Sequence, residues 1–250
     1  ISNNFYHFIV DVIAPASCAF PFLRSGCVDK IIFYGPRPEP GSFSDGFFQL
    51  IGRMCEVPIA FEEDDFLVPD GYFLLPRLSE YSWSDCDEFF TFKENVQPFP
   101  FYISDTIKSY FGELSKEIPL RRQTAPVLVV SRGHLHNRKI ENEDEIIRAL
   151  MPFGVEVVKM EDYTVEEQIG LIKSARVMVG CHGAGMFNAG FLPVDGAAIE
   201  ITGRQYAKRS RDFCKVTAAT GVKYSYIVAD EVGDNFHMVS NIGNNIELSS

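Results

Sequence analysis

The sequence has 250 residues and a formal net charge of -11, from 34 acidic and 23 basic residues. Its composition, 46% hydrophobic and 23% charged, excludes disordered, collagen-like and coiled-coil chains. The acidic balance disfavours nucleic acid as a partner, and no apolar run reaches the ~18–20 residues that a membrane helix requires. An anionic ligand would therefore need a local positive site.

The N-terminal half alternates helical and strand-like patterns and is rich in proline and phenylalanine. Helices are predicted near residues 4–16, 43–54 and 104–116, and strands over 30–34, 57–61 and 72–75. The polar segment 117–125 contains a proline and no periodicity, so it is the predicted linker. These patterns predict a first α/β domain over residues 1–120.

The C-terminal half shows a more regular alternation. Strands are predicted over 126–131, 155–160, 177–180, 197–201 and 223–228, and helices over 142–150, 164–175, 185–191 and 205–220. Asn142 with Glu145, and Thr164 with Glu167, have the spacing of capping boxes. This alternation indicates a parallel sheet covered on both faces, which is a Rossmann-like domain over residues 121–250. Two α/β lobes imply a ligand-binding cleft between them.

A glycine-rich turn separates a hydrophobic strand from a short helix in segment 175–191. It has the sequence His182-Gly183-Ala184-Gly185. Glycine lets the backbone approach an anion, and the N-terminus of the following helix directs its N–H groups and positive dipole end toward it. A turn that needs glycine for packing alone is the alternative. The turn is not a P-loop, because no G-K-[ST] follows.

Three charged residues lie where strands of the predicted sheet end. Arg132 follows the first strand and Arg138 lies across the next loop, so both are candidates for binding a diphosphate through their guanidinium forks. A solvated surface loop is the alternative for either arginine. Glu200 ends the apolar strand AAIEI, where it would accept from ribose hydroxyls or pair with Arg204 or Lys208.

The N-terminal segment NNFYHFIVD contains a candidate general base. If Asn4 caps a helix, His7 and Asp11 fall four residues apart on one stripe. A histidine oriented by a carboxylate is the arrangement expected of a base near neutral pH. A histidine that caps the helix or bonds within the core fits the spacing equally well.

Two segments resemble metal sites and are better explained otherwise. Asp85-Cys86-Asp87 forms a D-x-D, but no strand precedes it, and an acidic first turn of a helix accounts for it. His134 and His136 lack a third ligand with usable spacing. The sequence therefore predicts neither a bound metal nor a cofactor.

The run SRGHLHNRKIENEDEIIRAL, followed by VEVVKMEDYTVEEQIGLIKSARVMVGCHGAGMFNAGF and AIEI, resembles the conserved half of a glycosyltransferase family. This family contains plant β-1,2-xylosyltransferases and the O-linked β-N-acetylglucosaminyltransferases that act on EGF domains and O-mannose. The segment NNFYHFIVD is similar to its N-terminal signature. The resemblance implies a GT-B-like fold, with two Rossmann-like lobes around a donor cleft and the N-terminal lobe on the acceptor side. It also implies inverting sugar transfer, xylose or N-acetylglucosamine foremost, from a UDP-sugar to a glycan or glycoprotein, without an essential metal.

The resemblance also implies roles for individual residues. Arg132 and Arg138 would contact the donor diphosphate, with the turn over 182–185 beneath it. Gln168 and Asn188 match recurring polar positions, and Asn188 and Glu200 are grouped with the donor site. One of the two N-terminal candidates would be the catalytic base.

Two other functions and the cell compartment stay open at this point. A non-catalytic nucleotide-sugar-binding module would use the same lobe, and a dinucleotide-dependent oxidoreductase is a weaker alternative, with Glu200 near the distance of its ribose-binding acid. The chain begins at Ile1 without a visible signal peptide, which favours the cytoplasm. An upstream anchor that had been removed would instead place it in the lumen of the secretory pathway.

Overall fold

The computed structural model describes residues 5–64, 101–121, 125–133, 135–207, 211–233 and 243–249. The predicted strand at 72–75, the D-x-D at 85–87 and His134 lie outside these ranges. The backbone of His7 and Asp11 is described, but their side chains are not.

The N-terminal helices follow the prediction and extend beyond it. Helix α1 (Phe5–Phe8) continues through a π-helical turn (Ile9–Ile13) into α2 (Ala14–Leu23). Pro21 has no N–H group to donate to the carbonyl of Ser17, and the Ser109 hydroxyl donates to that oxygen at 3.4 Å. This hydrogen bond connects α2 to the segment that contains Ser109, at a carbonyl oxygen to which Pro21 cannot donate.

A small parallel sheet follows these helices. It consists of β1 (Ile31–Tyr34) and β2 (Ile59–Glu62), which are connected through α3 (Phe43–Cys55). Ser42 caps α3, because its hydroxyl accepts from the Asp45 N–H at 3.2 Å. Helix α4 (Phe101–Glu117) completes the described part of this half.

The C-terminal half contains the predicted parallel sheet. Its five strands are β3 (Val127–Val130), β4 (Val155–Val158), β5 (Val177–Cys181), β6 (Ala197–Thr202) and β7 (Lys223–Val228). They are all parallel and lie in the order β4-β3-β5-β6-β7. The chain reverses its direction of winding between β3 and β5, and open α/β sheets bind ligands outside the carboxyl ends of strands at such a point.

The helices between these strands are α5 (Glu143–Leu150), α6 (Val165–Ser174), a 3-10 helix (Ala184–Phe191), α7 (Arg204–Ala207) and α8 (Arg211–Thr220). The capping box before α6 is confirmed: the Thr164 hydroxyl accepts from the Glu167 N–H at 3.3 Å, and the Glu167 carboxylate accepts from the Thr164 N–H at 2.9 Å. The capping box predicted at Asn142 is wrong. Its side chain instead bonds to the backbone of Leu248, at 2.7 and 3.1 Å.

The chain ends in a ribbon that the sequence patterns did not predict. Strands β8 (Asp230–Val232) and β9 (Asn245–Glu247) pair antiparallel, and Ile246 also bridges to Ile140. Ile246 is buried with Val127, Val129 and Ile201 against one face of the sheet. This ribbon and α5 therefore cover that face together.

The opposite face of the sheet shares its core with the N-terminal helices. Leu128, Met178 and Ala198 belong to one hydrophobic cluster with Phe187 of the 3-10 helix and Phe47 of α3. The described part of the predicted linker contacts α6, because the Arg121 N–H donates to the carbonyl of Gly170 at 3.2 Å. The α/β class and parallel sheet are confirmed, whereas the two GT-B-like lobes, their cleft and the boundary between residues 120 and 121 stay predictions.

Gly190 permits close contact between the 3-10 helix and α4. A Cβ atom on Gly190 would lie 2.3–2.6 Å from ring atoms of Phe111 in α4. We expect Gly190→Ala to destabilise the protein by about 1–3 kcal/mol in urea denaturation, because the ring must move within a packed core. Gly112→Ala is the control, since a Cβ there meets nothing within 4 Å and alanine is the better helix former. A Gly190→Ala protein as stable as the Gly112→Ala protein would show that the ring does not pack there.

Candidate functional site

The site begins where β3 and β5 end. Arg132 follows β3 and His182 follows β5, and these neighbouring strands are parallel, so both residues lie at the same edge of the sheet. A Cβ atom on Gly183 would lie 2.9 Å from Nη1 of Arg132. Gly183 has φ 169, an extended conformation that any residue adopts. The absence of a side chain at Gly183 therefore leaves room for the guanidinium to lie against the turn.

Arg132 and Arg138 are partly buried and lie close enough for their positive charges to repel each other. The Nε atom of each is buried and has no hydrogen-bond partner within the described ranges. Burial lowers the pKa of Arg132 from its ordinary value, and the nearby charge of Arg138 lowers it further. These two effects outweigh the attraction of Glu161, so the charge of Arg132 is disfavoured in the empty protein and the pair is suited to an anionic ligand.

Arg138 has an unusual backbone conformation. Its φ of 54 places a non-glycine residue in the left-handed region, which persists only where the surroundings enforce it. Its guanidinium carbon lies 5.3 Å from the centre of the Tyr206 ring, in a cation–π contact. The tertiary structure therefore holds Arg138 in one orientation.

The N-terminus of the 3-10 helix supplies further hydrogen-bond donors to the site. It begins at Ala184, and its first backbone bond runs from the Met186 N–H to the Gly183 carbonyl at 2.9 Å. The N–H groups of Ala184 and Gly185 precede that bond, as at any helix N-terminus. A Cβ atom on Gly185 would meet nothing within 4 Å, so this turn faces open space.

His182 and Glu200 form a buried pair. Nδ1 of His182 lies 2.5 Å from Oε1 of Glu200, and the Tyr224 hydroxyl donates to the other carboxylate oxygen. Glu200 is 0% exposed. Of the predicted alternatives for this carboxylate, the structure shows pairing, and the partner it shows is His182; Lys208 lies outside the described residues. The carboxylate thereby orients the imidazole, which also stacks on Tyr206 at 4.9 Å.

Asn188 lies inside the protein, away from the open face of the turn. It is 3% exposed, and its amide donates to Oε1 of Gln168 at 3.5 Å. Gln168 in turn donates to the carbonyls of Met160 and Tyr163, at 2.9 and 3.0 Å. The two recurring polar residues thus connect the 3-10 helix to α6 and to the loop after β4. This location fits a supporting role for Asn188 behind the donor site.

Cys181 directly precedes the turn and is buried. Burial raises the pKa of its thiol to about 12, although the charges of Arg132 and Arg138 act in the opposite direction. The thiol is therefore protonated at neutral pH and is a poor nucleophile.

Helix α1, which contains His7, lies next to the 3-10 helix that begins at the glycine turn. Helix α1 packs against the 3-10 helix and against α3. Phe8 and Ile9 are buried in the core. The segment Ile9–Ile13, which contains Asp11, is a π-helical turn, so the α-helical spacing assumed for His7 and Asp11 is altered. Such turns are frequent at functional sites.

Tyr206 and Gly243 were not identified from the sequence. Tyr206 contacts both His182 and Arg138, and a Cβ atom on Gly243 would lie 2.6 Å from the Tyr206 ring. Neither residue belongs to a recognisable motif, and only the packing of the C-terminal segment brings them to this edge.

Two further features concern the described ranges as a whole. They contain no group of three or more His, Cys, Asp or Glu side chains placed to hold a metal ion. No helix within them has both the length and the apolar character needed to span a membrane.

Comparison with known proteins places the chain in a family. The family model Glycosyltransferase 61 matches residues 5–199, from α1 through β6. Alpha-1,3-arabinosyltransferase XAT3 of Oryza sativa subsp. japonica is 34% identical over 106 residues, which are 40% of this chain and 18% of that protein. The chain therefore spans about a fifth of the length of the curated relative that it matches. Since the family model covers well over half of the chain and agrees with the resemblance in its motifs, the chain belongs to the glycosyltransferase 61 family.

Proposed function

We propose that the protein transfers a sugar from a UDP-sugar to a hydroxyl group of a glycan or glycoprotein, with inversion at the anomeric carbon and without a metal ion. The observation that supports this most directly is the pair Arg132 and Arg138, two partly buried arginines whose Nε atoms are buried and have no hydrogen-bond partner in the described residues. They lie beside a glycine turn that opens a helix at the switch point of a parallel sheet. Family membership gives the reaction class.

The chemistry follows from this charge distribution. The acceptor oxygen forms a bond to the anomeric carbon while the bond from that carbon to the diphosphate oxygen breaks, through an oxocarbenium-like transition state. Negative charge grows on the departing UDP, and fixed guanidinium and N–H donors stabilise it without reorganising. Arginine keeps its charge at any physiological pH, so the pair would serve in place of a divalent cation.

The proton of the acceptor hydroxyl needs a base. We assign this role to His7 first and to Asp11 second, because α1 packs against the helix that begins at the turn. Glu200 is a positioning residue in this scheme: it holds His182 by hydrogen bonding and is itself shielded from solvent. Asn188 supports the 3-10 helix from within.

For the donor sugar we propose three candidates. The family resemblance favours xylose and N-acetylglucosamine, and the name of the rice relative adds arabinose. The three UDP-sugars differ in the configuration or the substituents of the sugar, whereas the UDP group that the arginines would bind is common to all. Binding of UDP and choice of sugar can therefore be tested separately.

The test is the melting temperature of the protein with UDP and with each UDP-sugar, in the presence and absence of EDTA. A ligand at 100 times its Kd stabilises the native state by about 2.7 kcal/mol, which raises Tm by about 5–10 °C for a chain of this size. We expect this shift with UDP, unchanged by EDTA. A shift that EDTA abolishes would contradict metal-independent binding, and a shift with NAD alone would favour the oxidoreductase. Tight UDP binding without turnover on any acceptor would indicate the non-catalytic module.

A further inference from the structure

We infer that Tyr206 and the C-terminal segment 243–248 complete the donor site, because together they hold Arg138 in its binding orientation. We name segment 243–248 the C-terminal clasp. Both parts lie beyond residues 5–199, the range that the family model matches. The inference rests on the proposed function, since it concerns how this chain binds the diphosphate of its donor.

Hydrogen bonds tie the clasp to the residues that follow Arg138. The Ile246 N–H donates to the Lys139 carbonyl at 2.9 Å, and the Glu141 N–H donates to the Ile246 carbonyl at 2.8 Å. The side chain of Asn142 then bonds in both directions to the backbone of Leu248. The backbone on the C-terminal side of Arg138 is therefore fixed by a segment about 100 residues further along the chain.

Close packing fixes the Arg138 side chain as well. A Cβ atom on Gly243 would lie 2.7 Å from Cγ of Arg138 and 2.6 Å from Cε2 of Tyr206. Only a residue without a side chain lets the clasp approach both groups this closely. Arg138 is thus confined between the clasp and Tyr206 while its backbone stays in the left-handed region.

Tyr206 connects the two sides of the site. Its ring is 4% exposed, stacks on His182 with an interplanar angle of 26°, and contacts the Arg138 guanidinium. His182 belongs to the glycine turn and Arg138 to the loop after β3, so one aromatic ring sets the distance between them. A guanidinium fixed before binding loses less conformational entropy when the anion arrives.

The test compares UDP affinity, measured by calorimetry, among variants of Tyr206. We expect Tyr206→Leu to raise the Kd for UDP about 3- to 30-fold, because it removes the cation–π contact. Tyr206→Phe keeps the ring and should restore most of the affinity. Tyr226→Leu is the matched control, since that tyrosine is 52% exposed on β7. Donor KM is expected to follow the Kd.

A double-mutant cycle separates this positioning role from a general loss of packing. In an Arg138→Ala background, Tyr206→Leu should have little further effect on UDP affinity, because both changes remove the same interaction. If Tyr206→Leu does not fold, Gly243→Ala replaces it, with Gly112→Ala as control, and should also weaken UDP binding. Wild-type affinity in Tyr206→Leu or Gly243→Ala, or additive effects in the cycle, would overturn the inference alone. A wild-type protein that does not bind UDP would overturn the proposed function and this inference with it.

Discussion

Arg132→Ala is expected to slow sugar transfer by about 10²–10³, which is the usual loss when one preorganised donor to a developing negative charge is removed. Arg132 is singled out because its guanidinium lies against the glycine turn, with its Nε buried and unpartnered in the described ranges. The diphosphate gains charge as the sugar leaves, so the loss should be greater in kcat than in donor binding. The measurement is steady-state kinetics with UDP-sugar and acceptor both varied.

The stability of the same variant distinguishes a binding role from a structural one. Removing this partly buried cation should leave Tm unchanged or raise it, because desolvation and the repulsion by Arg138 outweigh the attraction of Glu161 in the empty protein. Arg148→Ala is the matched control: it removes the same charge from an exposed position on α5 and should not alter turnover. Wild-type kcat in Arg132→Ala would refute the proposed role of this guanidinium in catalysis. A large fall in Tm would show instead that Arg132 stabilises the fold.

His7→Ala is expected to reduce kcat by about 10²–10⁴ while UDP binding persists, because general base catalysis contributes a factor of that size. The base acts on the acceptor hydroxyl, whereas the diphosphate is bound by groups at the ends of β3 and β5. The two functions therefore separate experimentally: calorimetry with UDP reports the donor site, and turnover reports the base. Loss of UDP binding in His7→Ala would remove His7 from the acceptor site.

Asp11→Asn decides between the two candidate bases. If Asp11 only orients His7, this variant should lose less activity than His7→Ala and should keep the acidic limb of the pH profile of kcat/KM. If Asp11 is itself the base, Asp11→Asn should lose more and His7→Ala less. Equal, near-wild-type activity in both variants would place the base elsewhere in the chain.

Local sequence patterns predicted the secondary structure well where the interactions that stabilise an element lie within that element. The apolar runs of the three central strands, β3, β5 and β6, form strands because they are largely buried in a parallel sheet, whereas the edge strands β4 and β7 are more exposed. The box of Thr164 and Glu167 caps α6 because both partners lie within one turn. Asn142 has the same spacing to Glu145 but does not cap its helix, since its amide bonds to the backbone of Leu248, 106 residues away.

The sequence by itself determined the α/β class, the parallel sheet, the glycine turn with its neighbouring arginines, and the family, because each of these depends on residues within one strand–loop–helix unit. The tertiary structure alone decided that Glu200 pairs with His182 rather than contacting solvent, that the N-terminal helices share the core of the sheet, and that Tyr206 and Gly243 confine Arg138. These features arise from contacts between distant segments. Such contacts depend on the register of the strands and on where a glycine allows two segments to approach closely. Neither feature can be predicted from the periodicity of the sequence.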